Sequence, residues 1–315
     1  MIQLDLRSAL LANLADLEPG DQIAVGLSGG GDSVALLKAA VHVGNEKSFV
    51  VTAIIIDHQL QADSGAVAEQ AAQIAKDLGA SKVEIVKVQV ATGSGSGGLE
   101  AAARNARRDV FESYASVNNV KAVLLGHTLE DQAETVLLGL ARGSGARSLS
   151  GMRAIDGIYR RPFLNLTRDL VRSTVTDLAT FEDPHNSDPS FTRVRVRQTV
   201  LPVLEKELGP GVAQALGRTA DMLRDDADAL DMDAAMIFAA GEPTINELEK
   251  LSKAVRTRVL RHLAIRAGVL VNDLSREHIL NIDNLITNWH GQGSLNLPGQ
   301  VNVKRESGKL IFYTP

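Results

Sequence analysis

A glycine-rich loop is the clearest candidate for chemistry in this chain of 315 residues. It lies between a predicted strand and a predicted helix and reads Ser28-Gly29-Gly30-Gly31-Asp32-Ser33. Glycines let a ligand approach the backbone closely, and free amides at a helix N-terminus attract phosphate. No lysine follows the last glycine, so the loop is not a Walker A motif. A carboxylate beside phosphates indicates Mg²⁺ at Asp32, whereas the alternative is a turn in which Asp32 or Ser33 only caps the helix.

Two polar residues follow the second predicted strand. Asp57 and His58 come directly after the apolar run 49–56. Open parallel sheets bind ligands outside the carboxyl ends of their strands, so this position favours a role in the same site. The alternative is an Asx turn at Asp57 with a surface histidine.

An acidic helix start follows the fourth predicted strand. Asp131 and Glu134 are spaced i,i+3 and share a helix face, and His127 stands just before them. Two acids there could hold a cationic substrate or a metal, or could simply complement the helix dipole. Zinc is not expected, because the H-E-x-x-H pattern and cysteine ligands are absent.

Basic residues form three further candidates. Arg104 and Arg107 lie three residues apart on a predicted helix, where Glu100 and Arg104 could instead form a solvated i,i+4 pair. Between residues 142 and 172 the chain has seven arginines, Arg142 and Arg147 among them, against two acids. A third group is Arg193, Arg195 and Arg197, in a segment that we predict to be helical. The alternative for this third group is structural pairing with Asp183 and Asp188. Such groups contact phosphate or RNA, or form a solvated face.

The elements that must position these residues alternate between strand and helix over the first ~200 residues. This alternation predicts a doubly wound parallel sheet. The predicted strands are 22–27, 49–56, 83–90 and 122–126, and the predicted helices between them are 33–43, 64–78, 99–117 and 130–140. Helical patterns continue at 168–179 and 192–205.

A breaker cluster at 208–211 predicts a boundary between a catalytic domain, 1–208, and a C-terminal domain, 209–315. The second domain is predicted to be smaller and mostly helical, and to end in a short β element with a tight turn at Ser307-Gly308. The segment 93–98 (GSGSGG) formally fits G-x-G-x-x-G, but no acidic residue ends a further strand, so a flexible loop over the site is expected instead.

Composition narrows the class of protein. Hydrophobic residues make up 44% and charged residues 23%, which is typical of globular proteins. The absence of cysteine excludes disulfides, iron–sulfur clusters and thiolate nucleophiles. No run approaches the ~20 apolar residues of a membrane helix, and the N-terminus is not a signal peptide, so we expect a cytoplasmic protein without membrane contact. The net charge of −5 argues against indiscriminate nucleic-acid binding but allows a local basic surface.

The loop at 28–33 resembles the pyrophosphate loop of the N-type ATP pyrophosphatases, which cleave ATP between the α and β phosphates and adenylate a substrate. Within that superfamily, five motifs spread over residues 28–197 resemble the bacterial tRNA(Ile)-lysidine synthetases. The later four motifs include Asp57-His58-x-Leu60, Glu100-Ala-x-Ala-Arg104-x-x-Arg107, His127…Asp131-Gln132-x-Glu134-Thr135 and Glu182-Asp183…Arg193. Arg142-Gly143-x-Gly145…Gly151-Met152 adds to them, and two departures are Gln61, where arginine is usual, and Thr128, where a second histidine is usual.

This resemblance implies a two-step reaction. O2 of the wobble cytidine in the CAU anticodon of tRNA(Ile) attacks the α-phosphate of ATP, and free L-lysine then displaces AMP from C2. The implied roles are ATP and Mg²⁺ binding at 28–33 with Asp57 and His58, catalysis by Asp32, Arg107 and His127, and lysine binding by Asp131 and Glu134. RNA binding would fall to Arg142, Arg147, Arg193, Arg195 and Arg197.

Two alternatives remain open from the sequence. The first is another adenylating member of the superfamily, either a tRNA thiolase or an NAD synthetase-like enzyme. The second is a nucleotide-gated RNA-binding module without catalysis. The sequence also leaves open which acid deprotonates lysine and whether the chain forms a homodimer.

Overall fold

A computed structural model describes residues 3–59, 63–89, 99–143, 145–182 and 188–315. The chain divides into two compact units, Met1–Asp221 and Met222–Pro315. The division falls within the helix Val212–Ala239, whereas the sequence predicts a boundary at residue 208. The predictions that concern Gln61, the loop 93–98, Asp183 and the side chain of Glu100 lie outside the described residues.

The first unit contains a six-stranded sheet in the order β3-β2-β1-β4-β6-β5. Its strands are β1 Gln22–Gly26, β2 Val50–Asp57, β3 Lys82–Lys87, β4 Val120–Leu124, β5 Ile155–Asp156 and β6 Tyr159–Arg160. Every pairing is parallel except that of β5 with β6. The predicted doubly wound parallel sheet is confirmed. Because β2, β1 and β4 are neighbours, their carboxyl ends bring the predicted site loops to one edge of the sheet.

Helices cover both faces of this sheet. The helices of the first unit are α1 Leu4–Asn13, α2 Gly31–Lys47, α3 Ser64–Asp77, α4 Leu99–Asn118, α5 Leu129–Ala141, α6 Ala146–Leu149, α7 Arg168–Arg172, α8 Thr192–Arg195 and α9 Leu201–Leu208. A 3₁₀ turn, Ser173–Val175, follows α7, and a π-helical turn, Val196–Val200, joins α8 to α9. The helix predicted over 192–205 is therefore present, with one wide turn inside it.

Alternate residues of the central strands enter two different cores. Ile23 and Val25 pack with α1, α2 and α3, whereas Ala24 packs with Phe111 of α4. This is the period-two pattern of a strand that is buried on both faces. Gly26 allows the close approach of α4, since a Cβ there would lie 2.8 Å from the Phe111 ring.

The second unit is mostly helical and ends in a small sheet, as predicted. The long helix α10, Val212–Ala239, enters this unit and is followed by α11 Ile245–Lys250, α12 Lys253–Arg266 and α13 Arg276–Thr287. The antiparallel strands are β7 Leu295–Leu297, β8 Val301–Glu306 and β9 Lys309–Tyr313. Its core includes Leu248, Leu260, Ile282 and Val303. No described helix of either unit is long and apolar enough to cross a membrane.

Candidate active site

The loop 28–33 forms an open cradle at the end of β1. Gly29 has a φ of +81°, which favours glycine, and α2 begins at Gly31 with Gly30 as its N-cap. The Ser33 hydroxyl donates to the Gly30 carbonyl at 2.9 Å and accepts from the Ser28 amide at 3.2 Å. The Ser33 amide donates to the Gly30 carbonyl at 3.0 Å, whereas the amides of Gly31 and Asp32 have no hydrogen-bond partner among the described residues. The loop therefore presents donors for an anion.

Asp32 on this loop is paired with arginine. Its carboxylate accepts from Arg172 Nε at 2.8 Å and from Arg172 Nη2 at 3.1 Å. Arg168 Nε lies 3.5 Å from Asp32 Oδ2. Both arginines belong to α7, so this short helix fixes the carboxylate next to the cradle.

The two acids on α5 are buried within the same network. Glu134 has no exposed surface and accepts from Arg193 Nε at 2.8 Å and from Arg197 Nε at 2.6 Å. Asp131 Oδ1 accepts from Arg168 Nη2 at 3.1 Å and from Arg197 Nη2 at 2.9 Å. We call this group the arginine–carboxylate cluster. Its members are Asp32, Asp131, Glu134, Arg168, Arg172, Arg193 and Arg197.

Asp131 also caps the start of its own helix. Its Oδ2 accepts from the Thr128 amide at 2.9 Å and from the Thr128 hydroxyl at 3.2 Å. Burial acts to raise the pKa of Asp131, but the charges of Arg168 and Arg193 and the hydrogen bond from the Thr128 amide outweigh burial, so its pKa is lowered. Asp131 is therefore an ionised residue that caps α5 with one oxygen and binds arginines of the cluster with the other.

His127 lies between β4 and α5, and its Nδ1 is buried without a hydrogen-bond partner. Burial is the main reason why the pKa of His127 falls to about 3, and the charges of Arg161, Arg193 and Arg107 lower it further against the opposing effect of Asp131. The imidazole is thus neutral at pH 7 in this structure. It can exchange a hydrogen bond with a ligand, but it adds no positive charge before a polyanion binds.

Asp57 and His58 lie at the end of β2. Asp57 is buried and its Oδ1 accepts from the Gln59 amide at 2.9 Å, which is the Asx turn of the structural alternative. His58 is half-buried, and its pKa is lowered by burial and by Arg107. The charge of Arg107, on α4, therefore lowers the pKa of both histidines.

Comparison with known proteins identifies the family. Residues 4–204 match the PP-loop domain, and residues 244–311 match the TilS substrate binding domain. The tRNA(Ile)-lysidine synthase of Thermobifida fusca is 46% identical over 314 residues, which cover 97% of this chain and 96% of that protein. The tRNA(Ile)-lysidine synthase of Streptomyces coelicolor is 46% identical, and the match covers 92% of this chain and 84% of that protein. The tRNA(Ile)-lysidine synthase of Mycobacterium leprae is 45% identical, and the match covers 90% of this chain and 87% of that protein.

The chain belongs to the tRNA(Ile)-lysidine synthase family. This confirms the family and the fold class that the sequence predicts. The fold is also similar to that of a solved structure, the U34-tRNA thiolase NcsA from Methanococcus maripaludis with its [4Fe-4S] cluster, with a TM-score of 0.59 and 16% identity over 70% of this chain and 77% of that one. That likeness shows the fold alone, and this member of the synthase family has no cysteine.

The donor set of this synthase-family site fits Mg²⁺ bound together with phosphates. Among the described residues no cluster of three or more His, Asp or Glu is arranged to hold a metal ion by itself. Mg²⁺ in nucleotide sites needs only one or two carboxylates, with phosphate oxygens and waters completing its shell. Asp32 beside the cradle supplies one carboxylate, so it is the residue that would hold the ion. Its oxygens are held by Arg172 in this structure.

The structure places the predicted site residues in three groups. The cradle, His127, Asp131 and Glu134 come together at one edge of the sheet, linked by Arg168 between Asp32 and Asp131. Arg193 and Arg197 bind Asp131 and Glu134 of α5. Asp183, the first of the two alternative partners that the sequence suggests for them, lies outside the described residues. The third group comprises exposed arginines on the surface: Arg142, Arg147 and Arg195.

Sequence reasoning missed the role of two residues of this synthase-family site. Arg168 and Arg172 count in the sequence only as members of the basic stretch between residues 142 and 172. Arg172 lies 140 residues from Asp32 in the chain, so no local spacing indicates their pairing. The run of arginines was the only available signal.

Proposed function

We propose that this chain joins L-lysine to C2 of the wobble cytidine in the CAU anticodon of tRNA(Ile), through an ATP-dependent adenylated cytidine. The products are lysidine, AMP and diphosphate. Family membership supports the activity directly and confirms the predicted class, a ligase that forms a carbon–nitrogen bond and uses ATP with Mg²⁺. The observation that carries the proposal is this near-full-length similarity, together with the network that joins the cradle to the acidic helix.

In the first step, cytidine O2 attacks the α-phosphorus of ATP and the bond to the diphosphate breaks. The amides of residues 28–33 hold phosphate oxygens at the N-terminus of α2. Arg107 stabilises the negative charge of the reacting phosphates, and His127 exchanges a hydrogen bond with them. Mg²⁺ at Asp32 would neutralise the charge of the leaving diphosphate.

In the second step, the ε-amine of lysine attacks C2, and AMP leaves with the original oxygen. The amine must first lose a proton, because its ordinary pKa is ~10.4. We assign Asp131 and Glu134 to the binding of lysine. The lowered pKa of Asp131 makes it a weak base, so its role is orientation of the amine rather than proton acceptance.

Lysine binding at these acids requires a rearrangement, because arginines already neutralise both carboxylates. Arg197 bridges Glu134 and Asp131 at 2.6 and 2.9 Å, in the place that a substrate ammonium would take. At least one guanidinium must move aside when lysine enters. The partial exposure of Arg193 and Arg197 leaves them room to do so.

The tRNA is the substrate indicated by family membership, and we propose its contacts. Arg142, Arg147 and Arg195 are exposed cations on the unit that carries the site, and the matched region 244–311 is proposed to recognise the tRNA body. Because the substrates would be tRNA, ATP and free lysine, we propose that the reaction takes place in the cytoplasm. We also propose that the chain forms a homodimer. The exposed apolar residues Val203 and Leu208 on α9 support this proposal, and light scattering would measure the mass of the particle in solution.

Mass analysis of tRNA nucleosides tests the proposed function. The purified chain is incubated with tRNA(Ile), ATP, Mg²⁺ and labelled lysine, and digestion should release labelled lysidine with one AMP for each lysine incorporated. Omission of lysine should leave diphosphate release but no lysidine. Label transfer from glutamine to deamido-NAD, or tRNA binding without ATP turnover, would contradict the assignment.

A further inference from the structure

Arg161 differs from the arginines of the arginine–carboxylate cluster because it has no ion pair among the described residues. The one hydrogen-bonded partner of its side chain there is the Arg153 carbonyl, to which Nη1 donates at 2.8 Å. Its Nε is buried without a partner. The side chain is half-buried, so its charge is partly removed from water and no carboxylate forms an ion pair with it.

The strand register places Arg161 beside the site. The Leu125 amide donates to the Arg160 carbonyl at 2.9 Å, and the His127 amide donates to the Leu125 carbonyl at 3.0 Å. Arg161 therefore runs alongside the segment that ends β4 and carries His127. The effect of its charge on the pKa of His127 agrees with this position.

The residue before Arg153, Met152, is held by Gln132 through its backbone. Gln132 is almost fully buried on α5, next to Asp131 in the chain. Its Nε2 donates to the Met152 carbonyl at 3.0 Å, and its Oε1 accepts from the Met152 amide at 2.7 Å. A side-chain amide is the group that supplies both a donor and an acceptor to one backbone residue.

Two glycines let this segment lie close to α5. Gly151 has a φ of +60°, and a Cβ there would lie 2.7 Å from Gln132 Oε1. A Cβ on Gly139, two turns along the same face of α5, would lie 2.9 Å from the Ser148 carbonyl. The segment 146–153 is thus held at two points, and its end carries the carbonyl that orients Arg161.

We propose that Arg161 binds a phosphate group of the substrates and that Gln132 is its positioning residue, acting through the Met152–Arg153 backbone. The inference rests on the proposed function for the identity of those substrates. The phosphate belongs either to ATP or to the tRNA backbone. Both sources offer the same oxygens to the Nε and Nη2 donors, and a planar guanidinium suits them.

Substrate binding by single and double variants of the full chain tests this proposal. Arg161→Gln should weaken binding of either ATP or tRNA(Ile) by about 10-fold or more, as expected when a charge-assisted hydrogen bond is removed. Separate titrations with ATP alone and with tRNA alone identify the source of the phosphate. Arg108→Gln is the matched control, because Arg108 is an exposed neighbour already paired with Glu112 at 2.7 Å, and it should bind both substrates normally.

The role of Gln132 is tested by non-additivity. Gln132→Met, which removes both hydrogen bonds at similar size, should weaken the same substrate about 3- to 10-fold, and the double variant should bind no more weakly than Arg161→Gln alone. Multiplied effects would overturn the positioning role, and wild-type binding by Arg161→Gln would overturn the phosphate site. If Gln132→Met does not fold, Gln132→Glu keeps the hydrogen bond with the Met152 amide and removes only the other one.

These titrations do not depend on turnover. If the wild-type chain forms no lysidine, the proposed function fails, yet the binding of ATP and tRNA by Arg161→Gln still decides this inference. Thermal unfolding of each variant separates weakened binding from loss of the fold, because a purely structural Gln132 would lower the midpoint without selecting one substrate.

Discussion

At the scale of single residues, the partner of each carboxylate decides what chemistry is open to it. Glu134 is fully buried between two arginines, so removal of its partners would leave a buried charge. Asp32 is partly exposed and paired with an arginine that is itself 42% exposed. The Asp32 pair can therefore open to a metal ion at much lower cost than the Glu134 pairs can.

Asp32→Asn tests this difference. The amide keeps the shape of the side chain but lacks the charge that holds Mg²⁺, so diphosphate release should fall by about 10²- to 10³-fold, while the fold is retained. Steady-state diphosphate release at saturating ATP and Mg²⁺ measures the effect. Asp169→Asn, an exposed acid on α7, is the control and should retain full activity. Full turnover by Asp32→Asn would remove the metal role.

Because of His127, the stability of the fold should decrease at acidic pH. The folded pKa of His127 is about 3, whereas an unfolded chain binds the proton at its ordinary pKa of ~6.5. Between these values the unfolded state carries more protons, so the free energy of unfolding decreases as the pH is lowered from 6.5 toward 3. At pH 5 the loss reaches up to about 2 kcal/mol.

Urea unfolding of wild type and His127→Gln at pH 7 and pH 5 measures this loss. The variant lacks the titrating group, so it should lose less stability between the two pH values than the wild type does. Equal losses would mean that His127 is protonated in the folded protein at pH 5.

At the scale of elements, the segment 192–208 binds the acidic helix α5 through two arginines. Arg193 and Arg197 lie four residues apart and both reach Glu134 on α5. Arg195 lies on the other side and donates to the Pro189 and Ser190 carbonyls, with no carboxylate partner among the described residues. Within α8 and the π-helical turn after it, Arg193 and Arg197 thus hold the acidic helix, whereas Arg195 lies on the surface.

Arg197→Gln and Arg195→Gln should therefore have different effects. Arg197→Gln leaves Glu134 with a weakened set of partners and should lower the free energy of unfolding by about 3 kcal/mol. Arg195→Gln should leave stability nearly unchanged, weaken tRNA binding, and reduce the slope of log affinity against log salt by about one. Denaturation and tRNA titrations over a salt series measure both, and an unchanged slope would assign Arg195 to the surface alone.

Local sequence patterns predicted most of the helices and strands and the location of the site. They did not predict the ion pairs that hold the site together. The apolar runs that form β2 and β4 and the loop 28–33 each follow from a few neighbouring residues. The hairpin of β5 and β6 was missed because two-residue strands leave no periodic pattern. The pairing of Arg168 with Asp131 and of Arg193 with Glu134 joins residues 37 and 59 positions apart, which only the fold brings together.

At the scale of the whole molecule, an acidic protein must bind a polyanion. The chain has a formal charge of −5, yet residues 244–311 contain ten Lys and Arg against six Asp and Glu. The preceding part of the second unit, 222–243, contains one arginine against six acids. The positive charge is therefore concentrated in the region that matches the substrate binding domain. A field of this sign favours the approach of RNA to that region.

Removal of exposed charge from this region should weaken tRNA binding without changing the use of ATP. Lys250, Lys253 and Arg276 are exposed, and the triple change to glutamine removes three positive charges without disturbing the buried Arg256–Asp283 pair. The affinity for tRNA should fall, and the salt slope should flatten by about one for each phosphate that the variant no longer neutralises. The KM for ATP should stay constant, because the cradle belongs to the other unit.

Arg7→Gln is the control for this charge change, since Arg7 is paired with Glu46 at 2.6 Å and lies on α1. It should leave tRNA affinity and salt slope as in the wild type. If the triple variant also behaves as the wild type does, the excess charge of 244–311 takes no part in binding, and the tRNA is held by the arginines of the first unit. A rise in the KM for ATP would instead show that the two units act on the nucleotide together.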